Sequence, residues 1–304
     1  MYVTESCPCC GSRNSDAWPA VVAPFVAARA LGGAPSRTRF CECADCGLRF
    51  FDARLDDSEV ARLYEGYRGD GYLRERRRHE WWYTRRLNDR LGRAESEIRA
   101  RRQGLAKFLS ESLDLALVGS VLDFGGDRGQ FIPEGLGRFR AVFDPSGVEP
   151  LPGIEAITHE AALEGRTFDL VLVAHVLEHA SEPAAMLSRL TRLSRPGSWL
   201  YVEVPLERPR LLGPTRGLIG EHWIDLLLRV RPLFRAVEFG STTLRVALGV
   251  VPPLGLLEAH EHLNFFHAVS LARLADRVGW QVVSLCEEPP VVRMLARSPT
   301  TPEI

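Results

Sequence analysis

The 304-residue sequence lacks an excess of either charge: Lys and Arg total 38, Asp and Glu total 39, and the formal net charge is −1. No global field draws such a chain onto nucleic acid or anionic lipid, so a nucleic-acid partner is not expected. Long hydrophobic runs are missing too. The longest uncharged apolar stretch, Val246–Leu257, is broken by Pro252 and Pro253 and falls short of the ~20 residues that cross a bilayer, so no membrane span is expected. The opening MYVTESCPCC has neither a basic n-region nor an apolar h-region, which points away from a secretory leader and towards a cytoplasmic location. Lysine is nearly absent, Lys107 being the single one, and this excludes nothing. What remains is ordinary globular composition, 45% hydrophobic and 25% charged, which rules out disorder and fibres and suits about two domains.

Cysteine is the exception to this even composition. Six of the seven cysteines (Cys7, Cys9, Cys10, Cys41, Cys43 and Cys46) crowd into the N-terminal segment, and Cys286 stands alone. In a reducing compartment such clustering favours a metal over disulfides. Two CxxCG units are visible, Cys7-Pro8-Cys9-Cys10-Gly11 and Cys43-Ala44-Asp45-Cys46-Gly47. A CxxC turn aims two thiolates at one ion, and the residue after the second cysteine tends to need φ > 0, where glycine fits best. Gly11 and Gly47 thus select Cys7, Cys10, Cys43 and Cys46 as ligands of a tetrahedral, structural zinc, with Cys9 and Cys41 as neighbours that keep other ligand sets open. Free thiols or a two-cysteine redox site are the alternative.

The expected organisation is a zinc-binding module over 1–51, a helical linker or cover over 52–117, and an α/β core over 118–304. The helical part mixes Tyr64, Tyr67, Tyr72, Trp81 and Trp82 with arginines. Aromatics among arginines can stack on bases, but the interleaved acids fit a solvated helix packing over the core better. From Val118 short apolar runs alternate with helical stretches, the pattern of βαβ units and a parallel sheet. Seven strands are expected, at 120–124, 141–144, 154–158, 168–174, 198–204, 281–285 and 291–296, with helices over 182–194 and 270–278. Residues 206–259 interrupt this pattern and are expected to form a lid or dimer element.

The segment Val121-Leu122-Asp123-Phe124-Gly125-Gly126-Asp127-Arg128-Gly129 is an apolar strand that ends in an acid and opens a glycine-rich turn. Such a turn brings backbone close to a ligand, and a helix N-terminus after it would offer N–H groups to a carboxylate or phosphate. No register supplies G-x-G-x-x-G, which disfavours NAD and FAD. About 20 residues on, Asp144 ends the second strand, where an acid can accept hydrogen bonds from both ribose hydroxyls.

On these residues the chain resembles the class I S-adenosylmethionine-dependent methyltransferases, in particular bacterial members that carry a cysteine-rich zinc-binding segment before the core. The resemblance implies a Rossmann-like seven-stranded methyltransferase sheet with helices on both faces. It places Asp123, Gly125 and Gly129 at the acid and outer glycines of the family's D-x-G-x-G-x-G motif, with Gly126 in the same turn, at the methionine end of the cofactor. Asp127 stands where that motif has its middle glycine, and its carboxylate would repel the cofactor's unless it turns outward. Asp144 matches the ribose-binding acid, with Glu149 as a second candidate. The run Phe168–His179 is similar to the family's fourth-strand signature and sets His175 beside the cofactor. Pro196-Gly197 resembles the turn into the fifth strand, and Glu261–Phe266 resembles the H-x-N-F-F element.

The implied activity is methyl transfer to a small-molecule or sugar/glycan-precursor acceptor, a hydroxyl being favoured. His179 and His262 are the candidate bases for that hydroxyl's proton. Glu178 with His179 is a candidate divalent-ion pair, and His260, Glu261 and His267 form a further polar cluster. Arg208, Arg210 and Arg216 suit an anionic handle such as that of a nucleotide sugar. A homodimer is one expectation for the insertion. Sugar C-methylation and a catalytically inactive zinc-containing scaffold are the competing readings.

Overall fold

The computed structural model describes residues 1–90, 94–207, 210–211 and 217–298. The chain divides into two compact units: Met1–Tyr64 with Glu207–Phe266, and Glu65–Leu206 with His267–Ile304.

The second unit is built on a seven-stranded sheet. In chain order its strands are β1 (Ser120–Phe124), β2 (Phe139–Phe143), β3 (Glu155–Ile157), β4 (Phe168–Ala174), β5 (Ser194–Pro205), β6 (Gln281–Glu288) and β7 (Val291–Arg297). The spatial order is β6-β7-β5-β4-β1-β2-β3. Strands β1 to β5 pair in parallel, while β7 runs antiparallel to both β5 and β6. The expected strands are all present, with their ends shifted by a few residues. The central strands β1, β4, β5 and β7 form because their apolar residues are buried on both faces, whereas the edge strands β3 and β6 are largely exposed. On one face Val121, Leu170, Leu172, Tyr201 and Leu295 pack under Leu105, Phe108 and Leu109 of the helix Glu95–Ser110. The residues alternating with them, Val171, Val173, Leu200, Val202 and Met294, are equally buried. Helices Pro183–Thr191 and Ala268–Arg277 also belong to this unit, with the Trp280 indole N–H donating to the Leu187 carbonyl at 3.2 Å.

One expectation fails here: no helix follows β1. Residues between β1 and β2 form successive turns, because Gly129, Gly135 and Gly137 take φ of 70°, 78° and 73° and Pro133 cannot extend a helical ladder. Ile132 and Leu136 fill the place under the helix Glu95–Ser110 instead.

The first unit holds a five-stranded sheet centred on Ser15–Val22, Arg37–Cys43 and Arg49–Phe51. Its outer strands come from far along the chain: Glu258–Ala259 pairs in parallel with Ser15–Val22, and Asn264–Phe265 pairs antiparallel with Arg49–Phe51. Edge strands left open would present unpaired backbone groups, and these two short strands cover both edges. Trp18, Phe40, Phe51 and Leu257 form one core. Val21 and Leu256 form another with Ile224, Leu227 and Phe234, from helices Gly217–Arg229 and Arg231–Leu248. Residues 207–266, which contain most of the segment read as a lid or dimer element, thus gather with the N-terminal residues. No helix among the described residues is long and apolar enough to cross a membrane.

Candidate functional site

The order of the parallel sheet reverses between β1 and β4, and open α/β sheets bind ligands beyond the strand ends at that reversal. Asp123 lies at this end of β1, Asp144 follows β2, and His175 follows β4.

Asp123 is 1% exposed, and its Oδ2 has no hydrogen-bond partner. Burial pushes its carboxyl up to about 7; Arg101 opposes this, and Asp144 and Asp127 add to it. Gly126 lies directly over the carboxylate, and a Cβ there would overlap Asp123 Cγ and Oδ2. At Gly125 (φ 74°) a Cβ would meet Val176 Cγ2 at 2.6 Å. The two glycines therefore leave a side-chain-free cradle above a buried acid whose Oδ2 has no hydrogen-bond partner. Asp127 occupies the left-handed region at φ 54°, which Asp tolerates better than most residues. Its N–H donates to Asp144 Oδ2 at 2.9 Å, while Asp144 Oδ1 accepts from the Ser146 N–H at 2.9 Å. The carboxylate of Asp144 is thereby fixed with lone pairs to spare on both oxygens. Glu149 is exposed, and its carbonyl accepts from Arg128 Nε at 3.1 Å.

His175 takes φ 58° and donates its N–H to the Glu203 carbonyl at 2.8 Å. Its Nε2 lies 3.3 Å from Glu203 Oε1 and its Nδ1 3.4 Å from Glu178 Oε1, both acids being buried. Burial alone would lower the imidazole, but the bonds to Glu178 and Glu203 outweigh it and lift it to about 9. His175 is consequently an imidazolium at neutral pH. Glu203 also accepts from Arg101 Nη2 at 3.0 Å, Arg293 Nε at 3.0 Å and Tyr201 Oη at 2.8 Å. Burial disfavours its charge, yet His175 and Arg101 hold it well below the usual carboxylate range.

The sequence reading missed Glu203, Arg101 and Arg293. The one available signal was an acid inside the apolar run Leu200–Pro205, since a charge in a buried strand needs partners. His179 is half-buried in the same unit, in the short turn Leu177–His179 after β4. His262 lies in the other unit, where its Nδ1 is 2.9 Å from Glu207 Oε2. His260 Nε2 is 2.6 Å from Arg245 Nη2, and His267 precedes the helix Ala268–Arg277. Arg208 and Arg216 lie outside the described residues, and Arg210 begins the short strand Arg210–Leu211.

In the first unit, Cys7, Cys10, Cys43 and Cys46 bring one sulfur each to within 4.8 Å of one another. Sγ of Cys7 is 3.6 Å from that of Cys46, and Sγ of Cys10 is 3.5 Å from that of Cys43. A tetrahedral ZnS4 centre with 2.3 Å bonds has an S···S edge of about 3.8 Å. The donor set therefore fits such an ion. Gly11 and Gly47 adopt φ of 80° and 71° and donate their N–H groups to the carbonyls of Cys7 and Cys43. Cys9 and Cys41 are buried beside this group.

A seven-stranded, mostly parallel sheet with one reversed strand, acids at the ends of adjacent strands and a glycine cradle define a Rossmann-like α/β fold. Residues 94–285 match the family described as methyltransferase domain. The match spans more than half of the chain, and the chain belongs to that family: it is a class I S-adenosylmethionine-dependent methyltransferase. The chain is similar to the 1,6-didemethyltoxoflavin N1-methyltransferase of Burkholderia thailandensis, with 18% identity, 84% of this chain and 96% of that one covered, and a TM-score of 0.47. It is similar also to magnesium protoporphyrin IX methyltransferase of Synechocystis PCC 6803, with 17% identity, coverage of 80% and 99%, and a TM-score of 0.45. An O-methyltransferase family protein of Burkholderia thailandensis aligns with 14% identity and a TM-score of 0.42, covering 75% of this chain, which spans 63% of that one. No curated protein sequence matches the chain.

Proposed function

We propose that this methyltransferase acts on a hydroxyl of a small-molecule or sugar/glycan-precursor acceptor. The observation that carries the cofactor half of the reading is Asp123 Oδ2, a buried carboxylate oxygen without a partner beneath Gly126. A cationic ligand group is the partner that such an oxygen lacks, and the ammonium of S-adenosylmethionine supplies one. Asp144, with acceptor capacity left on both oxygens, suits the two ribose hydroxyls. Gly125, Gly126 and Gly129 complete the cradle, and His175 holds a fixed positive charge at the next strand end.

When bound, the cofactor supplies a methyl group activated by its sulfonium. The chain's task is to orient the acceptor in line with that group and to accept its proton. His175, already protonated, cannot take that proton. His179 and His262 carry the base role in this proposal. Zinc on Cys7, Cys10, Cys43 and Cys46 is proposed as structural, because four thiolates leave no open coordination position.

The test is acceptor-dependent release of the demethylated cofactor across pooled metabolites, followed by NMR of the product. A methoxy signal is expected, and a new carbon-bound methyl would refute hydroxyl transfer. At saturating cofactor, His179→Ala or His262→Ala is expected to lower turnover by about 10²-fold or more while cofactor affinity holds. Unchanged turnover in both variants would remove general-base catalysis by these histidines.

A further inference from the structure

Four non-glycine residues among those described adopt left-handed backbone, and three of them, Arg68, Asp127 and His175, belong to the unit that carries the cradle. Conformations of this kind cost energy and persist where the surroundings over-determine them, most often at ligand sites. Asp127 and His175 flank the cradle itself. Arg68 precedes the helix Asp70–His79, far from the glycine turn in sequence.

Its side chain nevertheless reaches that turn: Arg68 Nη1 lies 3.5 Å from Asp127 Oδ2, and the side chain is 17% exposed. The guanidinium packs 4.9 Å from the ring centroid of Tyr67. The Arg68 carbonyl accepts from Asn88 Nδ2 at 3.1 Å, and Asn88 Oδ1 in turn accepts from the Tyr83 hydroxyl at 3.1 Å. Both ends of the residue are therefore held. Its Nε is buried with no hydrogen-bond partner, a donor kept out of water and unused.

The charge around the cradle explains what this donor is for. Asp123, Asp127 and Asp144 bring three carboxyls to one turn, and the cofactor adds an α-carboxylate. The other guanidiniums near the turn are engaged: Arg101 with Glu203 at 3.0 Å, Arg102 with the Gln130 carbonyl at 2.7 Å, and Arg128 with the Glu149 carbonyl at 3.1 Å. Glycine at position 127 would bring no fourth negative charge to the site; aspartate does, and Arg68 is the cation that stands against it.

We propose that Arg68 is a cofactor-binding residue whose guanidinium takes the carboxylate of S-adenosylmethionine, and that Asp127 serves to aim that guanidinium into the glycine turn. The proposal rests on the cofactor assignment made above, and it specifies which residue reads the amino-acid end.

Calorimetric titration of the full-length protein separates the two claims. The probes are S-adenosylhomocysteine and its carboxylate-free analogue, 5′-deoxy-5′-(3-aminopropylthio)adenosine. Wild-type protein is expected to bind S-adenosylhomocysteine more tightly than the analogue. Arg68→Gln is expected to weaken S-adenosylhomocysteine by about 10- to 100-fold, the scale of one charge-assisted hydrogen bond, and to leave the analogue within about twofold. Asp127→Asn, which keeps the side-chain shape and removes the charge that aims Arg68, is expected to weaken S-adenosylhomocysteine by about 3- to 10-fold and to leave the analogue within about twofold, and wild-type binding of S-adenosylhomocysteine in this variant would overturn the aiming role. Equal losses for both ligands in Arg68→Gln would make the residue structural and overturn the proposal, as would unchanged binding of S-adenosylhomocysteine. Wild-type protein that binds neither ligand would overturn the cofactor assignment itself, a result distinct from either.

Discussion

Asp123 gives the most demanding test of the site. Its carboxyl rises from the usual 3.8 to about 7, chiefly through burial, a penalty on the anion of order 4 kcal/mol at ~1.4 kcal/mol per pH unit. Between those two values the folded chain holds a proton that the unfolded chain has released. Folding stability from this group is therefore complete below about pH 4 and is lost as pH rises through about 7. A ligand ammonium that pairs with the ionised oxygen reverses the balance, because it favours the anion in the complex. Cofactor affinity should then rise with pH until Asp123 ionises freely. If pairing pulls the carboxyl below about 5, the ratio of protonated to ionised free protein sets the size of the effect. The dissociation constant for S-adenosylhomocysteine should be about tenfold larger near pH 6 than near pH 7.5. Isothermal titration over this range measures it, with Asp123→Asn as the control. That variant should bind more weakly and show a flat profile. A flat profile in the wild type, or the same slope in Asp123→Asn, would refute the pairing of this oxygen with the ligand.

Gly126→Ala drives a methyl group into the Asp123 carboxylate and should cost about 1–3 kcal/mol of stability together with cofactor binding, read by denaturant unfolding and titration; wild-type values in both would show that the cradle can yield. His175, raised to about 9 by Glu178 and Glu203 against its burial, lends stability that is present below its ordinary 6.5 and lost as pH rises through about 9. Its imidazole should be protonated at pH 7.5 by NMR, and a midpoint near 6.5 would break the network argument. Purified protein should carry about one zinc per chain, and chelation should lower the temperature at which the N-terminal residues unfold while leaving Cys286 chemistry unchanged. Less than about half an equivalent, without exposure to chelator, would count against the four-thiolate reading.

Local chemistry was legible in the sequence because a few consecutive residues contain its cause. A CxxCG turn encodes its own left-handed glycine, and Gly11 and Gly47 take that conformation. An apolar strand that ends in Asp and opens on two glycines encodes a buried acid under bare backbone, as found at Asp123 and Gly126. Unbroken apolar runs encode the central strands of the core sheet, which are buried on both faces. The helix expected after β1 was a borrowing from the usual βαβ pattern, and Pro133 with three left-handed glycines argued against it locally.

Tertiary structure decided the pairings between distant residues, which leave no local pattern. Residues 258–265 close both edges of a sheet that begins at residue 15, since open edges need a partner strand and any short extended segment with free backbone groups can serve. Glu203 meets Arg101, Arg293 and His175 because buried charge must be matched, and the sequence states the need without naming the partner. The same holds for Asp127: the sequence by itself set an acid in a glycine's place, and only the folded chain brings Arg68 to it, because charges pair by distance in space.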